Sequence, residues 1–374
     1  MPIDPPSPPT WAANLSNRIR LEAHHRLPWI NGRRVLQGHH NRNVVVPLGR
    51  LARVVPSLEG TTHVKFRTPL RTLEVVPRLW TDEYTLLQAI RPYVENVPLP
   101  LARHGHWTVH SYVNGDPLGY LFPRREQPLD DKLLRLIAEL MRTVASVPKA
   151  ALPPVRPDWP TRDDSRGFLH RLITFSEEQV RKRYLPEFGV LFARLGIPDD
   201  AITRFRDRAR KLSARSLCLV HADLHRDNII KQGPDLHILD WELALYGDPL
   251  HELATHLVRM GYDENERKRM RGYWADEALP AHSNALDDDL PVYLDFECVQ
   301  SVLTDTMRAA RSLRPQPSAS ALEGAAGAIR RALAKAERPL DLPWIPDEGK
   351  TIDALCEWQS QPGNRPGRRL LSRH

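Results

Sequence analysis

Hydrophobic and polar positions divide the chain into a strand-like first third and a mainly helical remainder. Between about residues 33 and 110, apolar residues come in short runs rich in valine and threonine, which is typical of strands. The pattern predicts strands at RRVLQG, RNVVVPL, THVKFRTP and HWTVHSYV, the last ending at the turn signal Asn114-Gly115. One helical segment, WTDEYTLLQAIRPY, lies among them, with Thr81 as its expected N-cap.

From Pro128 onward, apolar residues recur at three- and four-residue intervals, which predicts helices. The clearest helical segments are LDDKLLRLIAELMRTVASV, HELATHLVRM, VYLDFECVQSVLTDTMRAARSL and SALEGAAGAIRRALAKAE. Two β-like runs, LCLV and HILD, interrupt them, and the chain after Arg338 has a polar, loop-like pattern. We therefore predict an α+β fold of two lobes. Residues 1–30 form an extension, 31–112 a small β-rich N-lobe, 113–338 a larger helical C-lobe, and 339–374 a tail.

Composition excludes several classes of protein. The 374 residues are 41% hydrophobic and 26% charged, an ordinary globular balance. No apolar run has the length of a membrane span, and the proline-rich start lacks the order of a signal peptide. Three scattered cysteines form no disulfide framework, and the net charge of +7 comes from dispersed arginines. We expect a cytoplasmic monomer or homodimer with no membrane or nucleic-acid partner.

One acidic stretch departs from this basic background. Between Gly272 and Met307 there is no lysine or arginine, although eight acids fall there. Such a local negative field favours a cationic partner. A solvated acidic loop is the competing interpretation.

The stretch VHADLHRDNII carries the strongest chemical signal. Asp223 and Asn228 are five residues apart, which is the spacing of the base and the metal-binding asparagine in a kinase catalytic loop. A third oxygen ligand, Asp240, ends the predicted strand HILD. Phosphoryl transfer needs a carboxylate to orient the attacking hydroxyl and oxygen ligands to hold Mg²⁺ on the phosphates. These three residues form that set.

The letters His-Arg-Asp within the same stretch suggest Asp227 as the base instead. The catalytic spacing counted from Asp227, however, ends at Gln232, a poor metal ligand. We therefore assign the role of base to Asp223 and none to Asp227.

Together with LDWELALYGDPLHELA, this stretch resembles the signature of the aminoglycoside phosphotransferase and choline kinase-like family. The matching residues are His221, Asp223, Asn228, Asp240, Trp241 and Glu242. The resemblance implies a bilobal, protein-kinase-like fold that uses ATP or GTP with Mg²⁺. It also implies Asp223 as the catalytic base, Asn228 and Asp240 as Mg²⁺ ligands, and His221 as a structural support of the loop.

The resemblance extends, with less specificity, to the N-lobe. It implies that backbone groups of Ser111, Tyr112 and Val113 bind the nucleotide base. It also places the loop from Gly38 to Asn43, GHHNRN, where the family has its phosphate-covering turn.

A cation is expected on the third strand to bind the phosphates. Lys65 and Arg67 are two residues apart and share one strand face, so periodicity does not choose between them. We favour Lys65, because it directly follows the apolar run THV, with Glu83 on the following helix as its partner.

The predicted function is transfer of the γ-phosphoryl group to a hydroxyl of a small molecule. An aminoglycoside or a cationic peptide antibiotic would match the acidic stretch, and this acceptor would be inactivated. A choline-like alcohol, a sugar or an amino-alcohol is the alternative acceptor. Candidate acceptor-binding residues are Asp263, Glu264, Glu266 and Asp295.

Two interpretations from other classes are weaker. His221, Asp223 and His225 alternate along the chain, so they could ligate the metal of a hydrolase. That reading leaves Asn228 and the Asp-Trp-Glu segment unexplained. A nucleotide-binding pseudokinase is disfavoured, because the base and both metal ligands are present.

Overall fold

The computed structural model describes residues 35–37, 41–48, 62–70, 73–105, 107–123, 128–160, 162–313 and 315–361. The predicted extension at 1–30, the end of the tail and Gly38 lie outside the described residues. Statements about the fold below refer to the described ranges.

A five-stranded antiparallel sheet forms the N-lobe, in the order β1-β2-β3-β5-β4. Its strands are β1 (Val35–Gln37), β2 (Asn41–Pro47), β3 (His63–Pro69), β4 (Pro100–His104) and β5 (Trp107–Ser111). Their alternating apolar residues meet in a small core of Leu48, Val64, Phe66, Ala102 and Val109. The predicted strands are present, with β4 added.

Helix α1 (Glu83–Ile90) lies between β3 and β4 in the chain and buries Leu86, Leu87 and Ile90. Its N-cap is Asp82, one residue later than the Thr81 that we predicted. The Asp82 carboxylate accepts the amide N–H of Tyr84, so it satisfies one of the free donors at the helix start. The shift brings Glu83 into the first turn, facing the sheet.

The C-lobe is mainly helical, as predicted. Its helices are α2 (Leu118–Leu121), α3 (Asp131–Ala145), α4 (Ser165–Phe175), α5 (Arg183–Arg194), α6 (Ala201–Ala209), α7 (Pro249–Arg259), α8 (Glu264–Glu277), α9 (Pro280–Ser283), α10 (Leu286–Ser312) and α11 (Ala319–Leu340). A π-helical turn (Ser176–Lys182) joins α4 to α5. The apolar stripes of these helices share one large core with α1. Among the described residues, the structure has no helix with the length and hydropathy needed to span a bilayer.

The tail contains a helix that we did not predict. Helix α12 (Glu348–Ser360) buries Thr351, Ala354, Leu355 and Trp358. Trp358 stacks on Phe188 of α5 with ring centroids 5.3 Å apart, and its Nε1–H donates to the carbonyl of Glu187 at 2.9 Å. The loop-like interpretation of the tail is therefore wrong. Helix α12 has few apolar positions, so its sequence pattern is weak. Its burial depends on the part of the C-lobe against which it packs.

Two small sheets position the candidate site within the C-lobe. Strand β7 (Cys218–Val220) pairs with β10 (Leu245–Gly247), while β6 (Asp116–Pro117), β8 (Ile229–Gln232) and β9 (Asp235–Ile238) form the other sheet. The stretch singled out in the sequence is the loop between β7 and β8. The Asp-Trp-Glu segment follows β9 directly, so the two motifs are brought side by side.

Candidate active site

The loop between β7 and β8 holds Asp223 and Asn228 in direct contact. The Asn228 side-chain amide donates to the backbone carbonyl of Asp223 at 2.9 Å and to its carboxylate Oδ2 at 3.3 Å. Ala222 has a positive φ of 60°, which turns the chain sharply before Asp223. This local geometry links the two residues that the sequence spacing paired.

His221 supports the loop from behind. Its Nε2–H donates to the carbonyl of Leu239 at 2.9 Å, and its Nδ1 accepts the amide N–H of Asp223 at 3.2 Å. The ring packs edge-on against Trp241, with centroids 4.8 Å apart. Burial lowers the pKa of His221, so the ring is neutral. Both ring nitrogens are engaged with the loop and its neighbour.

These contacts count against the metal-hydrolase interpretation. A metal on His221 would have to break one of the two hydrogen bonds of its ring. No group of three or more histidine, cysteine or acidic side chains in the described ranges could hold a metal ion. We therefore set aside His221, Asp223 and His225 as a ligand set. His225 faces Asp223 with Nε2 3.6 Å from Oδ2.

One residue that contacts the loop was missed by the sequence analysis: Glu252 on α7. Its carboxylate Oε2 accepts the amide N–H of Ala222 at 2.9 Å, which anchors the turn before Asp223. Burial raises the pKa of Glu252 to about 7. The segment GDPLHELA was noted as part of the resemblance, but only the packing of α7 under the loop shows what its acid does.

Arg259 is the second residue that was missed. Its Nη1 forms an ion pair with Asp223 Oδ1, and its Nη2 lies 3.7 Å from Glu297 on α10. Burial by itself would raise the pKa of Asp223, but His225 and Arg259 more than offset it and hold that pKa well below its usual value. Asp223 is consequently ionised and fixed in orientation.

On the N-lobe side, Arg67 makes the ion pairs that we expected of Lys65. Arg67 Nη1 donates to Glu83 at 2.8 Å, and Nη2 donates to Asp240 at 2.5 Å. Glu83 also accepts the amide N–H of Trp241 at 2.9 Å. The expected Lys65–Glu83 pair is thus corrected. A guanidinium has several donors in a fixed plane, so it can bridge two carboxylates where an ammonium binds one.

Lys65 lies on the same strand face and is buried, opposite His110 of β5. Burial, and then the neighbouring Arg67, lower the pKa of Lys65 to about 8. Within the described part of the chain no carboxylate lies within ion-pair distance of its ammonium group. A cation of this kind is costly in the folded protein.

Glu242, two residues after Asp240, contacts an asparagine of β2, and a second asparagine of β2 lies opposite Arg67. Asn41 donates to Glu242 at 3.0 Å, and Arg78 lies 3.1 Å from the same carboxylate. Burial, and then Asp240, raise the pKa of Glu242 to about 7. Asn43, on β2 directly opposite Arg67, has a buried side-chain oxygen without a partner among the described residues.

The segment between the lobes is held by backbone contacts. The amide N–H of Ser111 donates to the carbonyl of Leu99 at 2.8 Å, and that of Tyr112 donates to the carbonyl of His63 at 2.9 Å. These donors are used inside the protein, so they are not available to a nucleotide base. Of the three predicted residues, Val113 keeps its backbone N–H unengaged in the described structure.

The expected acceptor-binding acids have other partners. Asp263 caps α8, where its carboxylate accepts the Glu266 amide at 2.7 Å and Glu266 accepts the Asp263 amide in return. Glu266 also accepts the amide of Leu129, and Glu264 is an exposed residue of the first turn. Asp295 lies between Arg208 and Arg338. These contacts give three of the four a structural role.

The acidic stretch is likewise compensated from within. Arginines from other parts of the chain form ion pairs with Glu277, Asp287, Asp289, Asp295 and Glu297. Asp289, for example, contacts the fully buried Arg215 at 2.5 Å. These five of the eight acids are therefore paired within the chain, which weakens the negative field that the sequence suggested.

The side-chain oxygen atoms of Asn228 and Asp240 are suitable ligands for Mg²⁺. Asn228 uses its amide N–H on Asp223, which leaves its side-chain oxygen for a ligand. The Asp240 side chain is 33% exposed, in a left-handed backbone conformation that turns it away from β9. An amide oxygen and one carboxylate fit Mg²⁺, which binds few protein oxygens and completes its shell with phosphate and water.

Comparison with known proteins was made with both sequence and structure. A sequence profile described as the phosphotransferase enzyme family matches residues 27–287. No sequence among curated proteins matched the chain.

Solved structures share its fold. An ethanolamine kinase of Plasmodium vivax is 11% identical with a TM-score of 0.55, covering 91% of this chain and 95% of its own. An aminoglycoside phosphotransferase, APH(4)-Ia, solved with AMP-PNP and hygromycin B, is 14% identical with a TM-score of 0.53, covering 86% and 98%. A choline kinase of Cryptosporidium parvum is 15% identical with a TM-score of 0.50, covering 87% and 96%. The bilobal, protein-kinase-like fold is thus confirmed.

Proposed function

Because the chain belongs to the phosphotransferase enzyme family, we propose that it transfers the γ-phosphoryl group of ATP or GTP to a hydroxyl of a small molecule. The observation that carries the proposal is the convergence of both lobes on one site. Arg67 of the N-lobe is bound to Asp240 of the C-lobe, next to the loop in which Asn228 contacts Asp223. With Lys65 two residues before Arg67 on the same strand, this arrangement supplies a base, metal ligands and a phosphate-binding cation in one cleft.

Asp223 orients the acceptor hydroxyl and accepts its proton as the new bond between the acceptor oxygen and the γ-phosphorus forms. The bond between that phosphorus and the β–γ bridging oxygen breaks, and the nucleoside diphosphate leaves. The pKa of Asp223 is low, so it is a weak base. That is sufficient for a reaction in which positioning and charge stabilisation dominate catalysis.

Asn228 and Asp240 would hold Mg²⁺, which neutralises charge on the transferred phosphates. Lys65 is placed to bind the non-transferred phosphates, because it is a buried cation without a carboxylate of its own. Arg67 and Glu83 fix the position of Asp240. The backbone of Val113, between the lobes, would bind the base. Of the segment expected to cover the phosphates, residues 38–40 lie outside the described residues, and Asn41 to Asn43 belong to strand β2.

The acceptor belongs to one of two classes in the proposal. An antibiotic is the first, as in the relative solved with hygromycin B, and a small metabolite alcohol is the second, as in the ethanolamine and choline kinases. The acceptor side of Asp223 is formed by α7 and α10, through Arg259 and Glu297. Those helices, rather than the residues shared with the motif, would determine which alcohol binds.

A nucleotide-consumption screen over hydroxylated antibiotics and metabolites tests the proposal. We expect Mg²⁺-dependent consumption with at least one acceptor, and its loss in Asp223→Asn with nucleotide binding retained. Asp227→Asn is the matched control, because Asp227 belongs to the same loop and its side chain is 70% exposed. Full activity of Asp223→Asn, or equal loss in both variants, would contradict the assignment. Thermal stabilisation by Mg²⁺-nucleotide without any transfer would indicate a binding module instead.

A further inference from the structure

Two side chains of helix α7 contact the loop between β7 and β8. Glu252 accepts the amide N–H of Ala222 at 2.9 Å. Arg259, on the last turn of the helix, forms an ion pair with Oδ1 of Asp223. Glu252 and Arg259 are about two helical turns apart, so they lie on the same face of α7. One helix therefore holds both the turn before the proposed base and the base itself.

The Asp223 carboxylate is contacted at both of its oxygens. Arg259 contacts Oδ1, while the side-chain amide of Asn228 lies 3.3 Å from Oδ2. The last torsion angle of an aspartate side chain is broad, so a free carboxylate samples many orientations. A donor on each oxygen removes that freedom, and each oxygen keeps a second lone pair for an acceptor hydroxyl. Arg259 thus supplies the contact that orients Oδ1.

The guanidinium of Arg259 is itself held by Glu297 of α10, the helix that packs against α7. Glu297 Oε2 lies 3.7 Å from Nη2 of Arg259, and the Glu297 side chain is only 1% exposed, so water screens this attraction little. His251 lies 3.5 Å from the other Glu297 oxygen, but burial lowers the pKa of His251 and leaves that ring neutral. In the part of the chain that the structure describes, Arg259 is thus the cation that balances the buried charge of Glu297.

One guanidinium serves both carboxylates. Arg259 directs Nη1 to Asp223 and Nη2 to Glu297. The donors of a guanidinium lie in one rigid plane, so partners at two of its nitrogens fix the orientation of that plane. The Arg259 side chain is 30% exposed, and without Glu297 it would be free to turn toward solvent. Glu297 therefore restrains the direction from which Arg259 contacts Asp223.

We propose that Glu297 and Arg259 are positioning residues for phosphoryl transfer. Glu297 holds the guanidinium of Arg259, and Arg259 holds the Asp223 carboxylate in the orientation that receives the proton of the acceptor hydroxyl. This inference rests on the proposed function and assigns a part in turnover to a buried residue of α10. Because a small misplacement of a reacting group lowers the rate strongly, kcat should respond to both residues, whereas nucleotide binding should not.

The test measures kcat per folded protein and the KM for Mg²⁺-nucleotide, with the acceptor that the nucleotide-consumption screen identifies. Arg259→Met keeps the length of the side chain and removes its charge and its donors. We expect kcat to fall about 10- to 100-fold, with the KM for Mg²⁺-nucleotide changed by less than about twofold. Arg259→Lys keeps the charge without the fork of donors, so it should recover part of the lost kcat. Glu297→Gln should lower kcat by a smaller factor.

A double-mutant cycle distinguishes positioning from a purely structural role. If Glu297 acts through Arg259, Glu297→Gln lowers kcat in the wild type and has no further effect on kcat in Arg259→Met. Residues that only stabilise the packing of α7 on α10 would leave the kcat of the folded protein unchanged. Glu177→Gln is the matched control, because the Glu177 side chain is 4% exposed and pairs with Arg181 at 3.3 Å in the π-helical turn. It should lower stability without changing kcat.

Added guanidinium gives a second measurement. Since the Arg259 side chain is 30% exposed, Arg259→Ala opens a space that solvent reaches. Guanidinium chloride below its denaturing concentration should restore part of kcat in Arg259→Ala, because the ion can bind between the carboxylates of Asp223 and Glu297. It should restore nothing in Asp223→Asn.

Three outcomes would overturn the inference, and they are distinguishable. If Asp223→Asn abolishes turnover while Arg259→Met and Glu297→Gln keep the wild-type kcat, the positioning role is wrong and the phosphotransferase proposal stands. Additive losses in the double-mutant cycle would show that Glu297 does not act through Arg259. If no acceptor supports nucleotide consumption that requires Asp223, the proposed function fails and the inference fails with it.

Discussion

Arg67 in β3 and Asp240 after β9 join the two lobes through a hydrogen-bonded ion pair of 2.5 Å. The same guanidinium holds Glu83 of α1 at 2.8 Å, so the helix, the sheet and the Asp-Trp-Glu segment meet at one side chain. The Arg67 side chain is only 4% exposed. This residue therefore affects both the stability of the fold and the position of the proposed metal ligand.

Replacing Arg67 should destabilise the protein strongly. Arg67→Met leaves two carboxylates, Glu83 and Asp240, close together without a cation between them. We expect a loss of about 3–5 kcal/mol in the free energy of unfolding, measured by denaturant titration. Lys65→Met is the control on the same strand face, and it should cost little or even stabilise. Equal losses in the two variants would show that the bridge has no special role.

Lys65 should give the protein a distinctive alkaline pH dependence. Its pKa falls from the usual 10.5 to about 8 on folding, so between these values the unfolded chain binds more protons than the folded chain. The free energy of unfolding contributed by this group therefore rises with pH through that window, by up to about 3 kcal/mol.

Subtracting the stability profile of Lys65→Met from that of the wild type should isolate this rise. The difference should be largest below pH 8, where the wild type buries a charged lysine, and should vanish above about pH 10.5. A flat difference would mean that Lys65 is neutral or well compensated in the folded protein. The same variant should weaken Mg²⁺-nucleotide binding, since the proposal gives Lys65 a phosphate contact.

Glu252 should matter for turnover more than for nucleotide binding. Glu252→Ala removes the acceptor of the Ala222 amide and leaves a buried N–H unpaired, at a cost of about 1–3 kcal/mol. We expect kcat to fall with little change in nucleotide affinity, because the turn before Asp223 loosens. Glu252→Gln keeps an acceptor oxygen and should recover most of the activity. An active alanine variant would refute the anchoring role.

The tail helix should be a stable part of the C-lobe. Trp358→Ala removes the ring stacked on Phe188 and the hydrogen bond to Glu187, so we expect a loss of about 3–5 kcal/mol in unfolding free energy. Trp344→Ala, at a 45% exposed tryptophan in the same tail, should cost much less. Similar stability of the two variants would argue that α12 does not contribute to the core.

Local signals in the sequence predicted part of the proposed site. The five-residue spacing identified Asp223 and Asn228, and the structure places them in hydrogen-bond contact. The spacing works because both residues belong to one short loop, whose geometry is set by nearby residues. Strand periodicity likewise put Lys65 and Arg67 on one face, where both are buried.

Side-chain partners that come from distant segments of the chain could not be predicted from the sequence. The selection of Arg67 over Lys65 requires Glu83 and Asp240 to lie within reach of one guanidinium, although Asp240 is 173 residues away. Arg259 and Glu252 are on α7, whose packing beneath the loop has no signature in spacing. The acidic stretch gave no sign of its partners for the same reason, since Arg142, Arg208 and Arg215, which pair with three of its acids, lie elsewhere in the chain.

The sequence by itself determined the fold class, most of the strands and helices, and the pairing of Asp223 with Asn228 in one loop, because periodicity and short-range spacing are local properties of a chain. Only the tertiary structure decided which charges pair. Coulombic partners are chosen by distance in space and by burial, and a buried carboxylate takes whichever cation the packing brings to it. Asn228, which contacts Asp223, comes from the same loop, but Arg259, which forms an ion pair with it, comes from another part of the fold.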